Sequence, residues 1–403
     1  MWLTRSCQRI CPSDQSNYLT PHPVSHLSTL NILESLAGVS AADWNALAGG
    51  HPLLRHEFLH AMHETGCASE KSGWTPQYLT LWDGKKIRAA MPLYVKTHSY
   101  GEYVFDWAWA DAYNRHGLEY YPKLLSAIPF TPCTTARLLS GPDDQAGRVL
   151  LVEAALKLAR EAEVSSLHVL FPTDAEAELM TARGMMLRKT VQFHWTNQGY
   201  ADFDAFLATM SHDKRKKIKQ ERRKVRDAGV SFRHVAGPDI TPELWRFWMR
   251  CYSHTYRDHH STPYLNLKFF ERIGATMPEN ILLAVGEMQG EPICASLCLH
   301  DGRTLYGRYW GALGFVSGLH FETCYYQPLE FCIAQGIKLF EGGAQGEHKL
   351  ARGFLPVETL STHWLKQPQF ANAIEDYLAR ETSGVANYVN ELNEHSPFKQ
   401  VLG

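Results

Sequence analysis

The sequence predicts an α+β fold of two units, each a mostly antiparallel sheet covered by helices. Turn dipeptides between apolar runs recur in both halves of the chain, and such dipeptides are the strongest short-range indication of a β-hairpin. In each half, hairpins are followed by a helix and further strands, an order typical of helices packed on one antiparallel sheet. A length of 403 residues exceeds one ordinary core and favours two domains.

The C-terminal half carries the clearer series of hairpins. Two turn dipeptides, Gln289-Gly290 and Asp301-Gly302, divide an apolar segment into three strands. A helix is predicted from about 321 to 335, and Gly336 is expected to end it as a C-terminal cap. A further strand over 337–341 then leads into a glycine-rich segment.

The N-terminal half repeats this plan and sets the domain boundaries. Turns are predicted at Asp83-Gly84 and near Gly101, followed by a helix over about 146–162. The polar segment over 196–200 separates the two halves. The predicted parts are a loosely ordered tail over 1–26, an N-terminal domain over 27–196, and a C-terminal domain over 197–403 with a basic helix over 212–227 and C-terminal helices.

A matched spacing suggests an internal duplication. Trp109 precedes Gly117-Leu118 by eight residues, and Trp310 precedes Gly318-Leu319 by the same eight. Similar residues at a fixed offset in two halves are typical of a repeated unit.

Composition excludes several classes of protein. The net charge is −2, so nothing in the overall charge suggests a nucleic-acid or membrane-surface partner. Nine scattered cysteines without a C-x-x-C pair indicate neither a disulfide framework nor a zinc ribbon. No apolar run approaches the roughly 20 residues that span a bilayer. We therefore expect a cytoplasmic protein.

Residues 56–60 match the pattern H-E-x-x-H of zinc hydrolases, in which two histidines hold the metal and the glutamate activates its water. On a helix over 53–65, His56, His60 and His63 lie opposite the apolar face. A third ligand does not follow at the expected spacing, so we interpret these histidines as the solvent-facing side of an amphipathic helix. We predict no metal site.

A second helix is strongly basic on one side. With a 100° step per residue around the helix axis, six cationic side chains fall within an arc of about 120°. The apolar side chains form only a narrow stripe on the same helix. The six cations are Arg215, Lys216, Lys219, Arg222, Arg223 and Arg226. Stacked like charges repel one another, and a polyanion such as RNA or a diphosphate would relieve that repulsion. A merely solvated face remains the alternative.

The densest group of titratable side chains lies in the last third of the chain, around predicted strand ends and glycine-rich turns. The candidate catalytic residues are Glu322, His348, Lys349 and Arg352. The candidate substrate-binding residues are Arg308, Tyr309, Trp310, His320, Tyr325, Tyr326, Gln327, Gln345 and Glu347. Glutamate is suited to act as a general base, and lysine or arginine to stabilise an oxyanion.

Two alternatives apply to the same group. Cys324 could be a nucleophile with His348 as its base, which would require the two side chains to be in contact. Cys324 could equally be small buried filler, and the whole group a structural polar network.

Four longer blocks resemble a known family. They are LYGRYWGA, LHFETCYYQ, GAQGEHKLARGF and HWTNQGY, with KRKKIKQERRKV as a softer fifth. In them, and from about residue 30 to the C-terminus, the chain resembles the FemAB-like proteins of peptidoglycan biosynthesis and recognition, within the GNAT acyltransferase superfamily.

The resemblance implies two tandem GNAT-like domains and transfer of an acyl or aminoacyl group to an amine. The donor would be a thioester such as acetyl-coenzyme A or an aminoacyl-tRNA, acting as a co-substrate without a tightly bound cofactor. Fem-type enzymes carry a lysine shortly before a phenylalanine-glycine turn, and Lys349 with Phe354 is similar. The alternatives are a non-catalytic module that binds a cell-wall precursor or RNA, and an acetyl-coenzyme A-dependent N-acetyltransferase.

Overall fold

The computed structural model describes residues 28–344 and 346–399. The predicted tail over 1–26 lies outside these residues. The strands are β1 Thr29–Leu33, β2 Trp74–Pro76, β3 Tyr78–Asp83, β4 Lys86–Met91, β5 Tyr94–Lys96, β6 Lys123–Ser126, β7 Leu139–Ser140, β8 Ser166–Leu170, β9 Met186–Thr196, β10 Val230–Ala236, β11 Ile281–Met288, β12 Glu291–His300, β13 Thr304–Ala312, β14 Leu339–Glu341 and β15 Leu355–Leu365.

Helices cover both faces of these strands. They are α1 Ala41–Leu47, α2 His56–Glu64, α3 Trp107–Arg115, α4 Gln145–Glu161, α5 Asp174–Thr181, α6 Phe203–Thr209, α7 His212–Asp227, α8 Pro242–Asp258, α9 Leu267–Thr276, α10 Leu319–Phe321, α11 Gln327–Gln335 and α12 Pro368–Glu394. Between α10 and α11 the chain forms a π-helical turn, Glu322–Tyr326.

Two sheets organise the described residues. The smaller has the order β1-β3-β4-β7, and the larger has eleven strands in the order β10-β11-β12-β13-β14-β9-β15-β8-β6-β5-β2. The pairs β13–β14 and β6–β8 are parallel, and the other neighbouring pairs of the large sheet are antiparallel. The predicted α+β fold of helices on mostly antiparallel sheet is confirmed.

The large sheet runs without a break through both halves of the chain because strands are exchanged between them. Strand β15, from the C-terminal half, lies between β8 and β9, and its Ser361 pairs with Leu170. Strand β9 lies between β14 and β15, and its Thr196 pairs with Leu339. The domain boundary near residue 196 stays a prediction, and the strand pairing crosses it.

Side chains of the central strands alternate between two cores, as a two-residue period requires. Leu283 and Leu297 belong to an aromatic core that includes Trp245 and Trp248 of α8. Leu282 and Cys298 face the opposite core, with residues of the π-helical turn and α11. The backbone of α8 touches β13 directly, since a Cβ added at Gly311 would lie 2.0 Å from the carbonyl oxygen of Cys251.

The predicted C-terminal hairpins and helix are confirmed. Gln289 and Gly290 join β11 to β12 with positive φ values of 56° and 81°, and Gly302, at 82°, lies in the next turn. Gly336 ends α11 in the left-handed region, with φ 67°. Glycine has no Cβ and adopts that conformation at little cost, so Gly336 in the sequence indicates the end of the helix.

The equal eight-residue spacing in the two halves is not evidence of a duplication. Trp109 lies on helix α3, whereas Trp310 lies on strand β13. The two tryptophans are therefore not equivalent positions, and their equal offsets to glycine are coincidental.

The histidines of α2 are more deeply packed than predicted. His63 contacts the Tyr78 hydroxyl at 2.6 Å and the Ala68 carbonyl at 2.9 Å, and burial lowers its pKa to about 4. His56 contacts the Leu36 carbonyl at 2.9 Å. The prediction of a solvent-facing histidine side is wrong for His63, because the helix packs on two faces. Across residues 28–344 and 346–399, no group of three or more His, Cys, Asp or Glu side chains could hold a metal ion.

Candidate active site

A cavity of about 260 Å³ lies beyond the end of a short parallel strand pairing. Strands β13 and β14 pair only over Thr304–Tyr306 and Leu339–Glu341, and β13 continues past this pairing into the cavity wall. The cavity is bordered by β12, by the π-helical turn, and by the segment after β14. We call it the splay cavity. Its lining residues are Ser296, Leu297, Cys298, Gly307, Arg308, Tyr309, Trp310, His320, Cys324, Tyr325, Phe340, Gly342, Gly343, Ala344, His348 and Lys349.

Seven residues predicted from the sequence meet in the splay cavity. They are Arg308, Tyr309, Trp310, His320, Tyr325, His348 and Lys349. They come from strand β13, from the continuous helical stretch 319–326 and from the 3-10 helical turn Glu347–Arg352, so the fold assembles them from three separate stretches of chain. Gln345 lies outside the described residues.

Lys349 is the buried cation of the splay cavity. It lies on the 3-10 helical turn Glu347–Arg352 and is 2% exposed. Its Nζ donates to the carbonyl of Gly343 at 3.2 Å and also to that of Ala344. Burial lowers the pKa of Lys349 to about 8, since a low-dielectric surrounding disfavours the ammonium form. The side chain therefore titrates close to physiological pH.

Two histidines of the cavity are neutral at pH 7. Burial, together with the neighbouring His348, Arg352 and Lys349, lowers the pKa of His320 to about 4. Burial and the charges of Lys349 and Arg352 also lower the pKa of His348. His348 Nε2 contacts the Tyr325 hydroxyl at 2.9 Å, and the His320 ring lies 4.5 Å from that of Trp310. Either neutral imidazole can accept a proton.

The N-terminal half supports two residues of the cavity wall. Arg308 donates to the Phe130 carbonyl and to the Thr131 hydroxyl, the latter at 3.2 Å. The Tyr309 hydroxyl donates to the same Phe130 carbonyl at 3.1 Å. This loop therefore fixes two predicted substrate-binding residues from the other half of the molecule.

The π-helical turn decides which of its side chains face the splay cavity. Pro328 follows the turn and, lacking an N–H, cannot continue an α-helical ladder through it. The turn is held to β12 by the Ser296 hydroxyl, which donates to the Thr323 carbonyl at 2.7 Å. As a result Cys324 and Tyr325 line the cavity. Burial keeps the pKa of the Cys324 thiol well above its usual value, so this cysteine is poorly suited to act as a thiolate nucleophile.

Other predicted residues have different surroundings. Glu322, the predicted general base, is 3% exposed and accepts from Arg222 Nη2 at 2.9 Å and from Gln327 Nε2 at 2.8 Å. Tyr326 donates to Glu221 on α7. Glu347 accepts from the Tyr388 hydroxyl at 2.6 Å.

Arg352 is also turned away from the splay cavity. It is 3% exposed, and its Nη2 lies 3.0 Å from both carboxylate oxygens of Glu221. Its Nη1 donates to the His348 carbonyl at 2.6 Å, and its guanidinium lies over the Phe321 ring at 3.3 Å. The arginine thus joins the Lys349 turn to helix α7.

The predicted cationic face of α7 is only partly free to meet an anion. Lys216, Lys219, Arg223 and Arg226 are exposed, and Arg215 is half-buried. Lys219 pairs with Asp204 at 2.9 Å. Arg222 is turned inward, where it meets Glu322 and Glu330 in a second cavity of about 480 Å³.

Two residues near the splay cavity escaped the sequence analysis. Glu221 reads as a lone acid within a basic run, and only the contact with Arg352 reveals its role. Glu341 ends β14, and burial raises its pKa to about 7. In the sequence it is simply the last residue of a short apolar strand, so no local pattern marks it.

The two α+β halves share one sheet, and the splay cavity lies beyond the end of its parallel β13–β14 pair. The family model described as peptidoglycan biosynthesis/recognition matches residues 35–400. The chain belongs to this FemAB-like family, as its sequence blocks predicted.

Two solved structures share the fold, and a third is similar at a lower TM-score. The crystal structure of FemX is 11% identical, covers 84% of this chain and 98% of its own, and has a TM-score of 0.52. The structure of L-PGS from Bacillus licheniformis is 12% identical, with 86% and 98% coverage and a TM-score of 0.52. A tandem GNAT protein from the clavulanic acid biosynthesis pathway is 12% identical, with 84% and 98% coverage and a TM-score of 0.42.

Among curated protein sequences, none matches this chain significantly. Over the part of the chain that the structure describes, no helix has both the length and the apolar character needed to cross a bilayer.

Proposed function

We propose that this protein is an acyl or aminoacyl transferase of the Fem type, which moves an activated acyl group onto an amine in the splay cavity. The observation that carries this proposal is Lys349, a buried cation beside two neutral histidines in the cavity beyond the end of the β13–β14 pairing. Family membership supports the same reaction class.

The reaction asks the protein for positioning and electrostatics. The acceptor amine attacks the donor carbonyl, so that a C–N bond forms and negative charge develops on oxygen. The Lys349 ammonium stabilises that charge at close range. A neutral imidazole, from His320 or His348, takes the proton that the amine loses. The bond from carbon to the donor's oxygen or sulfur then breaks, and the carrier leaves.

Glu322 has a supporting role in this scheme. Its carboxylate is engaged by Arg222 and Gln327, so we assign it to holding the π-helical turn against α7. Proton transfer is left to the histidines of the cavity.

The donor carries phosphates, and the acceptor is a peptidoglycan precursor. Exposed cations of α7 favour a polyanionic donor such as aminoacyl-tRNA, because binding releases counterions and relieves like-charge repulsion along the helix. Acetyl-coenzyme A is the alternative donor. A reaction with either donor would take place in the cytoplasm.

The test compares donors and one lysine. Radiolabelled aminoacyl-tRNA and acetyl-coenzyme A are each incubated with the protein and a muropeptide precursor. The Lys349→Ala variant should lose nearly all transfer while keeping the wild-type melting temperature. Lys366→Ala is the matched control, since the exposed Lys366 also donates to a carbonyl, that of Ala162 at 3.0 Å, but lies outside the cavity.

Each outcome of this test assigns the protein to one functional class. Transfer from aminoacyl-tRNA supports the proposal, and transfer from acetyl-coenzyme A alone makes the protein an N-acetyltransferase. Tight precursor binding without transfer would make it a binding module. Equal transfer by Lys349→Ala and wild type would remove the lysine from the mechanism.

A further inference from the structure

Two adjacent side chains of helix α7 form ion pairs with two walls of the splay cavity. Glu221 holds the turn that carries Lys349, and Arg222 holds the π-helical turn that carries Tyr325. The same helix presents exposed cations on its outer side. The cavity and the outer cationic face are therefore joined by one rigid element.

The Glu221 carboxylate is largely buried and has more than one hydrogen-bond donor. Its carboxylate accepts from Arg352 Nη2 at 3.0 Å on both oxygens and also from the Tyr326 hydroxyl. The side chains of Glu221 and Arg352 are only 15% and 4% exposed. Charge-assisted bonds in such surroundings are stronger and more directional than neutral ones at the surface.

Arg352 connects Glu221 to the turn that lines the cavity. Its Nη1 donates to the carbonyl of His348, the residue before Lys349. Because His348 and Lys349 both line the splay cavity, the Glu221 carboxylate is linked through Arg352 to the turn that carries both side chains.

The contact through Arg222 fixes the opposite wall. Arg222 donates to Glu322 at 2.9 Å and to Glu330 at 2.7 Å, and its guanidinium lies 4.6 Å from the Phe203 ring centre. Together the two residues clamp α7 between the π-helical turn and the Lys349 turn.

We propose that Glu221 is a positioning residue that couples polyanion binding on the outer face of α7 to the order of the Lys349 turn. The proposal rests on the proposed function for the identity of the donor, and on the contacts above for the coupling itself. A polyanion that stabilises α7 also stabilises the turn, since one carboxylate joins them. Such coupling is reciprocal, so an ordered turn binds the polyanion more tightly.

The experiment measures amide hydrogen exchange of peptides covering 346–354, with and without deacylated tRNA at low salt. In the wild type, tRNA should slow exchange of these peptides several-fold. In Glu221→Gln, exchange should be about tenfold faster and should not respond to tRNA, because local opening of the turn no longer involves α7.

Asp227→Asn is the matched control. Asp227 lies on the same helix and is an acid paired with Arg226, but at 3.7 Å and with a side chain that is 62% exposed. It should behave as wild type. If Glu221→Gln unfolds because Arg352 is left buried without a counter-charge, the double variant Glu221→Gln/Arg352→Met removes both charges and repeats the measurement.

Wild-type exchange in a folded Glu221 variant would overturn the proposal, as would a wild-type turn that ignores bound tRNA. The outcome is separable from that of the transfer assay. Faster exchange in Glu221→Gln in a protein that transfers nothing would leave the coupling intact and refute the transferase. In an active protein, Glu221→Gln should lower kcat with little change in the KM of the amine acceptor.

Discussion

Lys349 shows how burial can change the chemistry of one residue. On the surface a lysine has a pKa near 10.5 and stays charged throughout the physiological range. In the splay cavity its pKa is lowered to about 8, so the ammonium persists at neutral pH but is easily lost above it. A reaction that depends on this charge should follow the titration.

The first prediction is a decline of activity at alkaline pH. Lys349 is protonated below about pH 8, so transfer should be constant there and fall about tenfold per pH unit above it. The measurement is single-turnover transfer between pH 6.5 and 9.5 with saturating donor.

Lys349→Arg supplies the contrast. Guanidinium stays charged across this range, so its transfer, though slower because the fork fits the site less well, should lose the alkaline decline. If transfer instead rises above pH 8 in the wild type, the neutral amine is the active form and the oxyanion role is wrong.

At this scale the sequence predicts residue types better than their orientation. The motif around Lys349 and the cluster from Arg308 to Tyr325 were found because unusual polar side chains adjoin strand ends and glycines. Glu322 has the right chemistry for a base, but the π-helical turn directs it toward α7. A helical wheel with a 100° step cannot anticipate that extra residue in the turn.

At the scale of elements, a largely buried ion pair joins α7 to the π-helical turn. The Glu322 side chain is only 4% exposed, so its charge depends on Arg222 for compensation. Removing one partner of such a pair leaves an unpaired buried charge.

The second prediction therefore concerns this ion pair. Arg222→Met should lower the free energy of unfolding by about 3 kcal/mol in urea denaturation, and Glu322→Gln added to it should restore part of the loss. Arg226→Met is the control, because that side chain is 75% exposed and should change stability by less than about 0.5 kcal/mol. Additive effects of Arg222→Met and Glu322→Gln would show that the pair is not coupled.

The third prediction concerns the glycine that ends the Lys349 turn. Gly353 has φ 90°, and an added Cβ would lie 2.8 Å from the Phe206 ring. Gly353→Ala should cost about 1–3 kcal/mol of unfolding free energy, through backbone strain and the clash. Gly384→Ala is the matched control. It lies inside α12 with no atom near the new Cβ, so it should stabilise by about 0.5–1 kcal/mol. Equal effects of the two changes would contradict the role given to Gly353.

For the whole molecule, the exchange of strands makes the two halves interdependent. Strand β15 contacts β8 and β9, and β9 contacts β14. Either half alone would leave strand edges without partners, which is a route to aggregation.

The fourth prediction follows from this interdependence. A fragment of residues 28–196 should be insoluble or lack cooperative melting on its own, whereas co-expression with residues 197–399 should yield a soluble complex. Circular dichroism melts and size-exclusion chromatography measure both outcomes, with the full chain as the control. A fragment that melts cooperatively alone would show that β15 is dispensable to the N-terminal half.

The sequence predicts the strands of this sheet but not their order. The hairpins β11–β12–β13 are local, and their turn residues mark them. By contrast, Ser361 pairs with Leu170 across nearly half of the chain, and no short-range pattern specifies that partner. The family resemblance supplied the overall class, and the exchanged strands required the structure.

The position of β9 in the sheet also matters while the protein is being made. This strand is complete once residue 196 leaves the ribosome, yet both of its neighbours, β14 and β15, begin only at residues 339 and 355. At 5–20 residues per second, that interval lasts roughly 7 to 30 seconds. For that time the nascent chain carries an eleven-residue strand with both edges open, a form that chaperones bind and that can pair with the wrong partner. Synthesis of this protein is thus expected to depend on chaperones more than its stability once complete would indicate.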